Sequence, residues 1–159
     1  MKKTIYFILL IFWLIVIYLL SNQTGEVSGT NSGTIIHIVL DGIYSFFHLS
    51  KNNLNDVVNM IHEPIRKCAH FFEYFVLAFL SYKNLENWDY QENKTIIAFL
   101  FCFICAMTDE IHQLFIVGRA FQYYDILMDM MGCTLMLLFL QIRLVKVGTK
   151  NWILPTFTI

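Results

Sequence analysis

The fold class of this chain is decided by residues 4–20, TIYFILLIFWLIVIYLL, which contain no charged residue. A transmembrane helix needs about 17–25 predominantly apolar residues. The polar, glycine- and serine-rich residues 21–33 that follow lack the small-residue pattern of a cleavage site. The segment therefore predicts a helix that stays in the membrane and is not removed as a signal peptide.

The composition of the whole chain agrees with a membrane protein. The 159 residues are 57% hydrophobic and 14% charged, with a mean hydropathy of +0.58, whereas soluble domains carry about 25% charged residues. The formal net charge of −1 gives no sign of nucleic-acid binding. Four cysteines lie in or beside apolar runs, and Cys102-x-x-Cys105 is interpreted as small packing residues because a free cysteine behaves as a buried hydrophobe.

Three further segments predict spanning helices, at about residues 64–82, 95–117 and 124–144. The chain is then a single all-α, polytopic membrane domain over residues 1–159, with four transmembrane helices. The connection over residues 21–63 contains apolar residues at helical spacing between 34 and 63. These predict one or two amphipathic helices in the membrane interface, with a packed soluble cap as the alternative.

Basic residues at both ends of the chain predict the topology. Loops on the cytoplasmic side carry an excess of lysine and arginine, and four spans place both termini on the same side. This predicts cytoplasmic termini and puts residues 21–63 and the turn around Arg119 on the outer side. The basic residues at the two ends are Lys2, Lys3, Arg143, Lys146 and Lys150.

Polar side chains recur where antiparallel topology brings three helix ends to one face of the membrane. On each helix they follow helical spacing, as Asp125 and Asp129 do at i and i+4. Polar residues within spans usually face the bundle interior or a wet cavity and mark functional sites. The candidate catalytic residues are His70, Glu73, Asp109, Glu110 and His112. The candidate substrate-binding residues are Arg66, Lys67, Gln113, Arg119, Asp125 and Asp129.

The charge balance of this set leaves three chemical interpretations open. Five acids face three certain cations, an excess of two negative charges, so some acids must pair, stay protonated or bind a cation. The first interpretation is structural ion pairing. The second is a lipid or headgroup site with acid–base chemistry, in which Arg66 and Arg119 hold a phosphate. The third is a metal site, since the spacing in His70-x-x-Glu73 and Asp109-x-x-His112 occurs in carboxylate-bridged metal helices, although the sequence indicates no particular metal or cofactor.

Two motifs give the chain a family resemblance. IRKCAHFFEY (65–74) and TDEIHQLFIVGRAFQYYDILMDMMG (108–132), with Ser21-Asn22-Gln23 after the first span, resemble the VanZ family of bacterial membrane proteins. Val117 departs from the family, which tends to have proline before Gly-Arg, and this affects the shape of the turn that presents Arg119. The resemblance implies a protein of the bacterial plasma membrane and cell envelope, and a link to resistance against the lipoglycopeptide antibiotic teicoplanin.

Three hypotheses of function follow, and they leave open whether the protein is an enzyme. In the first, the polar site at the outer face modifies an envelope lipid or lipid-linked glycan. In the second, the protein is a non-catalytic binder of a lipoglycopeptide or a lipid headgroup, with residues 34–48 supplying apolar contact. The third is an ion- or proton-coupled transporter, against which stands the lack of an internal repeat. In all three, Arg119 is expected to pair with Asp109, Glu110 or Asp125.

Overall fold

The computed structural model describes residues 2–23, 54–88 and 93–150, together with the isolated positions 34, 38, 39, 41, 42 and 45. These residues form four long helices and no strand, which confirms the all-α prediction. The helices are α1 (Lys2–Ser21), α2 (Leu54–Asn87), α3 (Lys94–Gln113) and α4 (Tyr123–Lys150).

Three of these helices are long and apolar enough to cross a membrane, which makes the chain a multi-pass membrane protein. Their candidate spans are Lys3–Ser21, Lys94–Gln113 and Tyr123–Arg143. The prediction of four such helices was wrong by one, because α2 contains no stretch of spanning length that is apolar enough. The predicted span at 64–82 carries three charged residues in its first ten positions, Arg66, Lys67 and Glu73, which lowers its hydropathy.

Two helix boundaries also differ from the sequence prediction. Helix α2 begins at Leu54 and continues through Pro64, so residues 54–63 are its first turns and not a separate interfacial helix. Helix α3 ends at Gln113, four residues before the predicted end, and the chain then turns, with Gly118 at a φ of 77°. That left-handed conformation favours glycine, which has no Cβ to clash. The amphipathic segment predicted at 34–48 lies largely outside the described residues.

Helix α2 occupies the centre of the bundle and packs most extensively against α4. In a bilayer, small residues at helix interfaces let backbones approach closely. Helix α3 has such a stripe, with Ala98, Cys102 and Ala106 all fully buried at intervals of four residues. The tightest approach is at Gly132 of α4, where an added Cβ would lie 2.0 Å from the backbone oxygen of Phe71. Cys102 belongs to this packing as a free thiol, in agreement with its interpretation as a packing residue.

Hydrogen bonds from two side chains to backbone oxygens fasten α1 to α2. The Trp13 indole Nε1 donates to the Glu73 carbonyl at 2.9 Å. At the other end of the same interface, Asn84 Nδ2 donates to the Tyr6 carbonyl at 2.9 Å. Because these contacts lie 11 residues apart on α2, they fix both the tilt and the rotation of α1 against it.

Candidate functional site

The polar residues of α3 lie on the same face as its small residues. The buried stripe of Ala98, Cys102 and Ala106 continues directly into Glu110 and Gln113. The face that packs against the rest of the bundle therefore changes from small apolar to polar side chains at the end of the helix. This places Glu110 and Gln113 among the helices and away from lipid. The free-energy cost of exposing such groups to hydrocarbon is thereby avoided.

A histidine and two carboxylates link α2 and α4 at the same level. His70 Nδ1 lies 3.3 Å from Asp129 Oδ1, and His70 Nε2 lies 4.0 Å from Asp125 Oδ2. Asp129 is 0% exposed and Asp125 is 2% exposed. We call His70, Asp125 and Asp129 the acid–histidine cluster. Its geometry places the imidazole at ion-pair distance from both carboxylates.

Arg66 joins this cluster from one turn earlier on α2. Its Nη2 lies 3.7 Å from Asp125 Oδ2 and donates to Gln122 Oε1 at 3.2 Å. Gln122 is held in turn by Glu110, whose Oε2 accepts the backbone N–H of Gln122 at 2.9 Å. Glu110 is fully buried. Through its hydrogen bond to Gln122 it positions the loop between α3 and α4. The sequence analysis did not identify Gln122, although it lies within the longer family-like motif.

A second set of contacts ties the end of α1 to the site. Gln113 Nε2 donates to Asp109 Oδ2 at 3.2 Å and to Ser21 Oγ at 3.4 Å. Arg119 Nε donates to the backbone oxygen of Gln23 at 3.0 Å. Ser21 and Gln23 were not among the candidate site residues. Their only signal was the family-like Ser21-Asn22-Gln23 after the first span.

The expected ion pair of Arg119 is not formed. Within the described residues no carboxylate lies at salt-bridge distance from Arg119, and the backbone oxygen of Gln23 is its acceptor. The cation that pairs with Asp125 is Arg66. Burial lowers the pKa of Arg119, and the positive charge of Arg66 lowers it further. The earlier end of α3 explains the difference, because it turns the loop toward the end of α1.

Not all predicted site residues meet in one place. Glu73 is close enough to His70, Asp109 and Asp129 to interact with them electrostatically. His112 instead lies against α1, with its ring centroid 5.3 Å from that of Tyr18. Lys67 lies over the ring of Tyr124, at 5.5 Å from its centroid. The residues that come together are Arg66, His70, Glu73, Asp109, Glu110, Gln113, Arg119, Asp125 and Asp129.

A polar cavity of about 330 Å³ opens beside this cluster. Among the described residues its wall contains two guanidinium groups, two amides and no acid. We call it the arginine cavity, and it is lined by Arg66, Gln113, Gly118, Arg119, Ala120 and Gln122. The acids lie behind this wall, so the site as a whole is acidic while the cavity presents positive charge.

The metal interpretation finds no support in the positions of the candidate ligands. Among the described residues no group of three or more His, Cys, Asp and Glu side chains is arranged to hold a metal ion. In particular, His112 packs against Tyr18, whereas Asp109 accepts a hydrogen bond from Gln113. The two spacings that suggested a metal therefore do not come together as one set of ligands.

Comparison with known proteins identifies the family. A family model described as VanZ/LLP1 matches residues 6–144, a stretch that reaches from α1 into α4 and includes every residue of the site. No curated protein and no solved structure matches the chain. Because the family match covers most of its length, the chain belongs to the VanZ/LLP1 family.

Proposed function

We propose that this protein binds the phosphate group of a bacterial envelope lipid in the arginine cavity. The observation that carries the proposal is the separation of charge, with Arg66 and Arg119 in the cavity wall and the carboxylates behind it. Guanidinium groups match the geometry of phosphate oxygens. The amides of Gln113 and Gln122 are further donors in the same wall. A membrane protein with such a site meets phosphate mostly as a lipid headgroup.

The size of the cavity favours a small headgroup. Its volume of about 330 Å³ lies at the lower end of ligand pockets, which span about 300–1,000 Å³. A phosphate with a small substituent, or a diphosphate, fits this space, whereas a lipoglycopeptide antibiotic or a whole glycan does not. Under this proposal, any effect on teicoplanin resistance arises through an envelope lipid and not by sequestration of the drug in this cavity.

Lipid binding by the purified protein tests the proposal. We expect short-chain phosphatidylglycerol, a phosphodiester lipid, to bind in neutral detergent, and the matching diacylglycerol, which lacks phosphate, not to bind. Arg66→Gln and Arg119→Gln should each weaken binding by about 10–100-fold, since a hydrogen bond to a charged group contributes about 1.5–3 kcal/mol.

Lys83→Gln is the matched control for the two arginine variants. It also removes one positive charge from the bundle, but Lys83 lies about 25 Å farther along α2 and pairs with Glu86. It should bind the lipid as wild type does. Equal affinity of all three variants would refute the cavity as the site. The soluble headgroup glycerophosphoglycerol distinguishes the source of the phosphate, because binding as tight as that of the lipid would indicate a free phosphodiester.

Modification of the bound lipid is the second candidate, and the contact between His70 and Asp129 favours it. A histidine oriented by a buried carboxylate is a typical general base. His70 lies one turn behind Arg66 on α2 and outside the cavity wall, so it would act through Asp125 or a water molecule. Turnover of labelled envelope lipids by wild type but not by His70→Gln would support catalysis. Intact lipid after incubation with wild type would leave binding as the function.

Helix α2 packs against all three apolar helices, and we infer that it crosses the membrane with them. Four crossings place both termini on the same side, and the basic ends of the chain support a cytoplasmic location for both. The arginine cavity then opens at the outer membrane face, where envelope lipids and their precursors are exposed. A lipid bound there is the partner that this topology makes accessible.

A further inference from the structure

Asp125 and the proposed phosphate ligand both have Arg66 as their counterion. Asp125 Oδ2 lies 3.7 Å from Arg66 Nη2 and 4.0 Å from His70 Nε2, and the Asp125 side chain is 2% exposed. The same Arg66 forms part of the wall of the arginine cavity. A phosphate that binds Arg66 therefore competes with Asp125 for one guanidinium group.

Acidic side chains outnumber the certain cations around Arg66. The acids that face this region come from α2, α3 and α4, with Arg66 and Arg119 as the certain cations. A bound phosphate adds at least one further negative charge to a region that already has an excess of acids, and at low dielectric this is costly unless a proton enters. The groups are Arg66, His70, Glu73 and Tyr74 from α2, Asp109 and Glu110 from α3, Arg119 from the loop, and Asp125 and Asp129 from α4.

The acid–histidine cluster is built to accept that proton. His70 lies between the two aspartates, 3.3 Å from Asp129 and 4.0 Å from Asp125, so a change of charge on any one of the three groups acts on the other two. Both carboxylate oxygens of Asp129 and the Oδ1 of Asp125 are buried and accept no hydrogen bond from the described residues. An added proton can therefore bind a carboxylate oxygen without displacing a hydrogen bond from another described residue.

We propose that phosphate binding in the arginine cavity is coupled to the uptake of one proton by the acid–histidine cluster. The phosphate replaces Asp125 as the partner of Arg66. A proton from solvent then neutralises the negative charge of Asp125, which is left without that partner. No bond is made or broken other than that to the proton. The inference rests on the proposed function, since it requires the anion to bind at Arg66.

Isothermal titration calorimetry measures the proton directly. Short-chain phosphatidylglycerol is the probe, because its phosphodiester does not titrate near neutral pH and any proton taken up belongs to the protein. Titration in buffers of different ionisation enthalpy should give about one proton per bound lipid. Affinity should fall by up to about tenfold for each unit rise in pH through the range in which the cluster takes up its proton, because the lipid-bound protein holds one proton more than the free protein.

Variants assign the proton to the cluster. Asp125→Asn should bind the lipid more tightly than wild type, because the carboxylate that competes for Arg66 is gone, and its proton uptake should fall to near zero. His70→Gln is a second variant, with the same expected loss of uptake, for use if Asp125→Asn does not fold. Glu86→Gln is the control, since Glu86 pairs with Lys83 far from the cavity, and it should keep the wild-type proton count.

The outcomes separate the two proposals. Lipid binding by wild type without proton uptake would overturn the coupling and leave the proposed function standing. Uptake that is unchanged in both Asp125→Asn and His70→Gln would also overturn the coupling, because the proton would then bind elsewhere. Failure of wild type to bind the lipid at all would overturn the proposed function, and the coupling with it.

Discussion

Gly132 on α4 is the position where a single methyl group should separate two helices. Its added Cβ would lie 2.0 Å from the backbone oxygen of Phe71 and 3.2 Å from the backbone nitrogen of Phe75. Favourable contacts between such atoms are about 3.5–4.0 Å. Because both neighbours are backbone atoms, no side chain can rotate away, and Gly132→Ala must push α2 and α4 apart by about 1–1.5 Å.

The same separation reaches the site. Asp129 lies three residues before Gly132 and contacts His70 across the same interface at 3.3 Å. An added 1 Å weakens that contact and the 3.7 Å approach of Arg66 to Asp125. Overpacking alone costs about 1–3 kcal/mol, and backbone contacts place Gly132→Ala at the upper end. We expect a loss of about 3 kcal/mol, or about 6–12 °C in the unfolding temperature, together with weaker lipid binding.

Thermal unfolding in neutral detergent and lipid titration measure these two effects. The matched control is Gly42→Ala, because an added Cβ at Gly42 would meet no atom of the described residues within 4 Å. It should be neutral or slightly stabilising, since alanine favours a helix by about 1 kcal/mol over glycine. Equal unfolding temperatures for Gly132→Ala and Gly42→Ala would refute the close approach of α2 and α4.

Three further changes test other parts of the structure. Glu110→Ala should cost about 1–3 kcal/mol in thermal unfolding, because it leaves the Gln122 N–H without its acceptor; Glu110→Gln keeps an acceptor oxygen, and an equal loss in both would contradict this account. Asn84→Ala should cost about 0.6–2 kcal/mol by the same measurement, through its lost bond to the α1 backbone, and no change would argue against that anchor. In a cysteine-free background, Thr30→Cys should react with an impermeant thiol reagent in intact cells and Trp88→Cys should not; the reverse pattern would invert the proposed topology.

Local sequence determined the membrane class, the helical fold and the segments that carry the site. Hydropathy along a chain depends only on neighbouring residues, so residues 4–20 predicted a membrane helix without any knowledge of the rest. The spacing of Asp125 and Asp129 likewise placed both on one face of a helix, and the structure has them both buried. Hydropathy was misleading for α2, because the polar residues of its first half were counted within a span.

Tertiary structure decided which of the polar residues meet. His70 and His112 look alike in sequence, each three residues from an acid, yet His70 contacts Asp129 and His112 packs against Tyr18. The partner of Arg119 depended on where α3 ends, and the loop after Gln113 directs it to the Gln23 backbone. Helix rotation, helix separation and loop direction result from packing between distant segments, such as Gly132 against Phe71. For that physical reason, the separation of the arginines in the cavity wall from the acids behind it was beyond the reach of spacing and composition.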